Sequence, residues 1–125
     1  LSGDDSPADG RNETFSTLFG SSHRFYGTAD IVPEVIGPQG LVDAAVTLSH
    51  APIPAVRLLL EGHRFLPHRG DGAFGSEADL TAVWRAAPPF EVSGGASAFA
   101  PGALLETRLG SSTRYWAYLQ GTWEF

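Results

Sequence analysis

The chain has no cysteine, no methionine and no lysine. Without cysteine, the fold rests on neither disulfides nor thiolate-bound metal, and the redox compartment stays open. Without lysine, all 8 basic side chains are arginine, set against 14 acidic ones for a formal net charge of −6. Nucleic acid is not an expected partner, because neutralising phosphates takes a basic face and these arginines do not cluster into one. Long apolar runs are also missing: the longest span a handful of residues, far below the roughly 20 that a membrane-crossing helix needs. An α-helical membrane protein is thereby excluded. A β-barrel is not, since its strands need only about 9–11 residues and bury one face in lipid. With no methionine and a start at Leu1, the chain reads as the middle of a larger molecule or of a processed one, its signal peptide lost or removed.

What is present is enough for a fold. The chain has 125 residues, of which 42% are hydrophobic and 18% charged, the size and balance of one ordinary domain. Residues 1–40 are rich in Gly, Ser, Asp and Pro and keep no period of 2 or 3.6, so they read as one long outer loop. From Leu41 to Phe125 the texture turns to short segments alternating apolar and polar, the signature of half-buried strands. Five strands are expected, over Leu41–Ser49, Ala55–Phe65, Ser76–Arg85, Phe90–Ala98 and Thr113–Phe125. Between them fall a tight turn at His50–Pro54, a loop at Leu66–Gly75, a tight turn at Ala86–Pro89 and a loop at Phe99–Ser112 with a helical turn near Ala103–Arg108. Short turns alternating with long loops are what bacterial outer-membrane barrels show at their two rims. The expected fold is therefore all-β, an up-and-down antiparallel segment of a transmembrane barrel preceded by a long loop.

Period two alone does not separate lipid from a soluble core, because a soluble sandwich also alternates. The placement of aromatics favours lipid. Trp84, Phe90, Trp123 and Phe125 all fall on the apolar face at the short-turn rim, as an interfacial aromatic girdle requires. Arg64 is the one charge on that face, beside the loop rim, where its cost is close to nothing. The opposite face carries Asp43, Arg57, Glu61, His63, Glu77, Asp79, Arg85, Glu91 and Arg114, the expected lining of a water-filled lumen. A terminal outward Phe125, preceded at every second position by Trp123, Gly121, Leu119, Ala117 and Tyr115, looks like the C-terminal strand signal read by the barrel insertion machinery.

The stretches SGDDSPADGRNETFSTLF at 2–19 and HRFYGTAD at 23–30 resemble the long outer loop of the alginate-export family of porins. The segments GLVDAAVTLSHAPIPAVRLLLEGHRF, GSEADLTAVWRA and YWAYLQGTWEF are similar to that family's closing strands. The resemblance implies a barrel of about eighteen strands, to which this chain contributes the C-terminal part. The remaining strands would come from an upstream segment or from other chains, since an open edge in lipid leaves backbone groups unpaired at several kcal/mol each. The family likeness also implies an arginine-lined lumen for an anionic polysaccharide. This chain departs from that pattern, because Asp43, Glu61, Glu77, Asp79, Glu91 and Glu124 outnumber Arg57, Arg85 and Arg114 on the inward face.

Other motifs carry less. Gly70-Asp71-Gly72-Ala73-Phe74-Gly75 fits GxGxxG, but the strand before it ends too early and the segment after it alternates with period two, unlike a dinucleotide site. Asp4, Asp5, Asp9, Asn12 and Glu13 gather oxygens that suit a loosely held Ca²⁺, although Pro7 and Ser16 break the EF-hand spacing, and a solvated loop explains them as well. The four histidines are dispersed, no nucleophile elbow is present, and Glu77 with Asp79 is the ordinary look of a polar lumen strand. No cofactor and no catalysis are expected. The leading reading is a pore wall for passive or weakly selective passage of small hydrophilic solutes or polysaccharide. The alternative is a soluble or surface β-rich binding domain without transport activity.

Overall fold

The computed structural model describes residues 3, 8–11, 26–32, 37–87 and 90–123. The chain is all-β, with five antiparallel strands in one meander sheet of order β1-β2-β3-β4-β5. The strands are β1 (Val42–Ile53), β2 (Val56–Leu66), β3 (Gly75–Ala87), β4 (Phe90–Pro101) and β5 (Arg114–Trp123). A helix, α1 (Ala103–Leu109), joins β4 to β5, and a single 3-10 turn at Gly37–Gln39 precedes β1. The sheet is not closed: among the described residues β1 and β5 pair only with β2 and β4, so each keeps one edge open there.

The register is continuous across the sheet, so the period-two pattern of each strand adds up to two separate faces. Along one row Leu48, Leu60, Leu80, Ala96 and Ala117 stand side by side, and along the next Val46, Gly62, Ala78, Ala98 and Tyr115. Strand ends run further than the alternation suggests. The tight turn expected over His50–Pro54 is instead strand as far as Ile53, and only Pro54 and Ala55 make the turn. Pro52 is tolerated there because β1 is an edge strand and the ladder is interrupted between His50 and Ile53, so its missing N–H removes no cross-strand bond. The turn expected at Ala86–Pro89 is likewise tighter, with Ala87 still paired to Phe90 after an irregularity at Arg85. Strand β4 runs on through Pro101 where a loop was expected from Phe99, and β3 begins at Gly75.

The buried apolar residues lie at one end of the sheet, on its polar face. Val32, Leu41, Phe65, Phe74, Phe99 and Leu105 form the core, with Tyr26, Ile31, Leu104 and Leu109 packed against it. Phe65 and Phe99 supply the sheet's share, their ring centroids 6.3 Å apart. The loop after β2 folds back so that Phe74 N–H donates to the Phe65 carbonyl at 3.0 Å, and Gly102 N–H donates to the Phe74 carbonyl at 2.8 Å. Helix α1 presents Leu105 to this core and stops at Gly110, whose φ of 77° is one that glycine adopts without strain. Gly102 has to be glycine for a different reason: a Cβ there would sit 2.4 Å from the Ala73 carbonyl oxygen.

Replacing Phe99 with Ala should remove the centre of this cap and cost about 3–5 kcal/mol, the usual loss for a buried aromatic. Equilibrium unfolding of the F99A and wild-type chains in denaturant measures it. A loss under about 1 kcal/mol would mean that the rim is not a cooperative core.

Candidate functional site

The polar face gathers the charged residues singled out from the sequence. The register sets Asp43 beside Phe65, then Ala45, His63, Glu77, Phe99 and Arg114 in one row, and Thr47, Glu61, Asp79, Ser97 and Trp116 in the next. Arg57 lies nearer the turn end, opposite Val83, while Arg85 and Glu91 face each other at the turn rim. All nine residues of the expected lining therefore share one face. They do not form one site. Arg85 Nε pairs with Glu91 Oε2 at 2.9 Å in the open, an exposed pair of small energetic weight. Arg114 turns towards α1, its Nη2 donating to the Leu109 carbonyl at 2.6 Å.

The carboxylates that do come together are those of β1, β2 and β3 below the phenylalanine cap. His63 Nδ1 is 2.9 Å from Asp43 Oδ2, and its Nε2 is 3.8 Å from Asp79 Oδ2. The imidazole is held flat by stacking on Phe65, with centroids 5.5 Å apart and planes 9° from parallel. Glu61 accepts from the Thr47 hydroxyl at 3.2 Å. Glu77, Asp79 and Ser97 are buried, and Glu77 Oε2, both Asp79 oxygens and Ser97 Oγ lack hydrogen-bond partners. Burying carboxylate oxygens without donors is costly, so this face is specified by something other than maximal stability.

A segment of the N-terminal region contributes to the burial of Glu77. Residues 26–32 cross the polar face as a strap, with Val32 in the cap and Ala29 N–H donating to Glu77 Oε1 at 2.8 Å. Gly27, with φ of 81°, lets the backbone pass so close that a Cβ would lie 2.6 Å from the Glu77 carboxyl. The region expected to be a long outer loop thus has a described portion laid on the sheet's polar face. Two more contacts tie the same region to the loop after β2: Arg69 N–H donates to the Gln39 carbonyl at 3.0 Å, and Gly3 N–H to His68 Nδ1 at 3.4 Å.

Among the described residues the large apolar side chains of the other face are exposed. Val46, Leu48, Ile53, Leu60, Leu80, Trp84, Tyr115, Leu119 and Trp123 are all exposed, Leu119 by 81%. Trp84, Phe90 and Trp123 of the expected girdle cluster at the turn rim, where the Phe90 and Trp123 rings are 6.1 Å apart. Phe125 lies outside the described residues. Arg64 is exposed at the other rim and donates from Nη1 to Ser76 Oγ at 2.8 Å.

Among the described residues no group of three or more His, Asp or Glu side chains is arranged to hold a metal ion. Of the proposed Ca²⁺ ligands only Asp9 is described, and its Oδ1 accepts from Arg11 N–H at 2.8 Å, an ordinary turn contact. Ser97 Oγ makes no hydrogen bond, so it forms no dyad with His63. The glycine-rich stretch at 70–75 leads into β3 and not into a helix, which removes the phosphate-binding geometry a dinucleotide site needs. Two aromatic residues of the polar face, Trp116 and Tyr118, escaped the sequence reading, although their even numbers place them opposite Tyr115 and Leu119 on β5.

No family model, no curated protein and no solved structure matches this chain.

The strap is testable through Gly27. In G27A the added methyl and the unfavourable φ should lift residues 26–32 from Glu77. Exchange of the Ala29 amide hydrogen should then accelerate by about tenfold, the loss of a hydrogen bond to the buried Glu77 carboxyl. Amide exchange read residue by residue checks this, and an unchanged Ala29 rate would show that the strap is held elsewhere.

Proposed function

We propose that this chain is a wall segment of a bacterial outer-membrane β-barrel and serves as part of a passive or weakly selective channel. The observation that carries the reading is the exposed apolar face. Five strands of 10 to 13 residues display one continuous apolar surface with aromatics at its turn rim, while the small core packs on the opposite face. Strands of that length suit a tilted crossing of the hydrocarbon layer. Lipid would cover the apolar face, and a water-filled lumen would meet Asp43, Arg57, Glu61, His63, Glu77, Asp79, Arg85, Glu91 and Arg114.

The open edges of β1 and β5 fit the same reading. In lipid their unpaired backbone groups would cost several kcal/mol each, so further strands, upstream in the molecule or from other chains, would complete the barrel. The insertion machinery would engage the last strand, whose outward positions alternate Tyr115, Ala117, Leu119, Gly121 and Trp123. Membership of the alginate-export family belongs to this proposal and rests on the quoted sequence segments. The acidic polar face points away from an anionic polysaccharide as cargo.

Extraction decides between lipid and water. A barrel wall should leave membranes only with detergent, migrate with a mass several times that of the 125-residue chain before heating, and give single-channel conductance in a planar bilayer. A monodisperse monomer indifferent to detergent would replace this reading with a soluble β-rich binding domain. A pair of substitutions sharpens the comparison. L80R, in mid-strand on the apolar face, should destabilise the inserted protein by about 2–4 kcal/mol, whereas T81R on the polar face should cost far less. Equal losses in reversible unfolding from lipid would contradict the assignment of faces.

A further inference from the structure

We propose that a trough on the polar face, beside Trp116 and Tyr118, is a binding station for small organic cations such as primary or alkylated ammonium groups. This deepens the channel reading and rests on it for the statement that the trough opens onto the passage. The trough has a volume of about 570 Å³ and runs to the β5 edge of the sheet, lined by Thr28, Glu61, Thr81, Trp116, Tyr118 and Gln120 together with the edge residue Leu119.

Its floor is made by a glycine. On β4 Gly95 stands between Thr81 and Tyr118, and a Cβ there would lie 2.5 Å from the Tyr118 ring. The ring therefore lies over the β4 backbone and reaches from the sheet's edge towards β3. Trp116, two residues earlier on the same face, is tilted 35° to Tyr118 with ring centroids 5.1 Å apart. Trp116 is 38% exposed and Tyr118 is half-buried, so ring surface remains open to a ligand. Two aromatic rings in a polar trough have a physical use that the small core elsewhere does not explain. Their faces carry negative partial charge and attract cations within about 6 Å of the ring centre.

The electrostatics around the rings agree in sign. Glu61 lines the trough itself, and Asp79 stands next to it on β3. The cations of this face are turned away or distant. Arg114 donates to the end of α1, Arg57 sits two positions beyond Leu59 towards the turn end, and Arg85 is paired with Glu91 at the rim. His63 is held between Asp43 and Asp79 under the cap. An anion entering the trough would meet Glu61 and two ring faces, while an ammonium group would find a carboxylate, two rings and the Thr81 hydroxyl. Thr28 of the strap closes the upper wall, which makes the station a feature of the strapped chain and not of the sheet alone.

The experiment is a calorimetric titration of the full chain in detergent with tetramethylammonium chloride, against sodium chloride at equal ionic strength and against glucose. Saturable binding of tetramethylammonium alone is expected. W116L and E61Q should each weaken it by about tenfold, and W116F should retain most of it. Should W116L fail to fold, E61Q carries the test, because it keeps both rings and the size of the side chain. Absence of saturable binding, equal or tighter binding of glucose, or an affinity that E61Q leaves unchanged would each overturn the proposal. Bilayer conductance separates the two readings: a chain that conducts without binding the cation loses only the station, and one that binds without conducting loses only the channel.

Discussion

The pleat of a β-strand sends neighbouring side chains to opposite faces, and the whole molecule depends on five strands keeping that alternation in phase. Because the register runs from Val42 to Trp123 with irregularities only next to the two short turns, no strand exchanges its faces with those of its neighbours. Leu48, Leu60 and Leu80 can then share one surface while Glu61 and Asp79 share the other, each pair adjacent across a strand boundary. A slip of one residue in β3 alone would in one direction set Asp79 beside Leu60 and Ala96 on the apolar face, in the other Leu80 beside Glu61 and Ser97 on the polar one, and either way both faces would fail together. The irregularities at Ile53 and Ala87 sit where the chain reverses, so they absorb the local twist without disturbing the rows beyond them.

The cap and the strap make the polar face more than a wetted surface. In the sheet alone it would be lined by carboxylates open to water. Residues 26–32 cover Glu77 and supply it with one backbone donor, and the stack of His63 on Phe65 fixes an imidazole between two acids. The apolar contacts of Val32 and Leu105 hold these elements in place and so meet the cost of desolvating acidic groups that stay incompletely bonded. Stability and electrostatic character are thus assigned to different parts of one face, the first to the rim phenylalanines and the second to the rows just below them.

The strands were legible because alternation is a local property, visible within any eight residues. Their ends were less so. Two prolines at 52 and 54 signal a turn in isolation, yet only Pro54 occupies one, since an edge strand with a broken ladder accepts Pro52. The even and odd residues of each strand also sorted every charged strand side chain but Arg64 onto one face without any tertiary knowledge. The same bookkeeping would have placed Phe65, Phe99, Trp116 and Tyr118 among them, had the inward face not been expected to be uniformly polar. The strap lay beyond sequence reasoning: Ala29 meets Glu77 across 48 positions, and a loop rich in Gly and Ser carries no periodic signal that could name its partner. Where the chain covers its own acids, the contact is set by tertiary packing and by the positive φ of Gly27.

The position of the hydrophobic cap also sets how rigidity is distributed along the strands. At one end the sheet is gripped by Phe65, Phe74, Phe99 and α1, while at the other the hairpins are secured by backbone ladders, a two-residue reversal and exposed ring contacts. Such a sheet behaves as a cantilever. Under load the described strands are expected to yield first at the end away from the clamp, where only ladder bonds hold β1 and β5 to their neighbours. A neighbouring strand arriving at either edge would therefore find its compliant end first, and pairing could proceed from the tips towards the clamp in the manner of a zip.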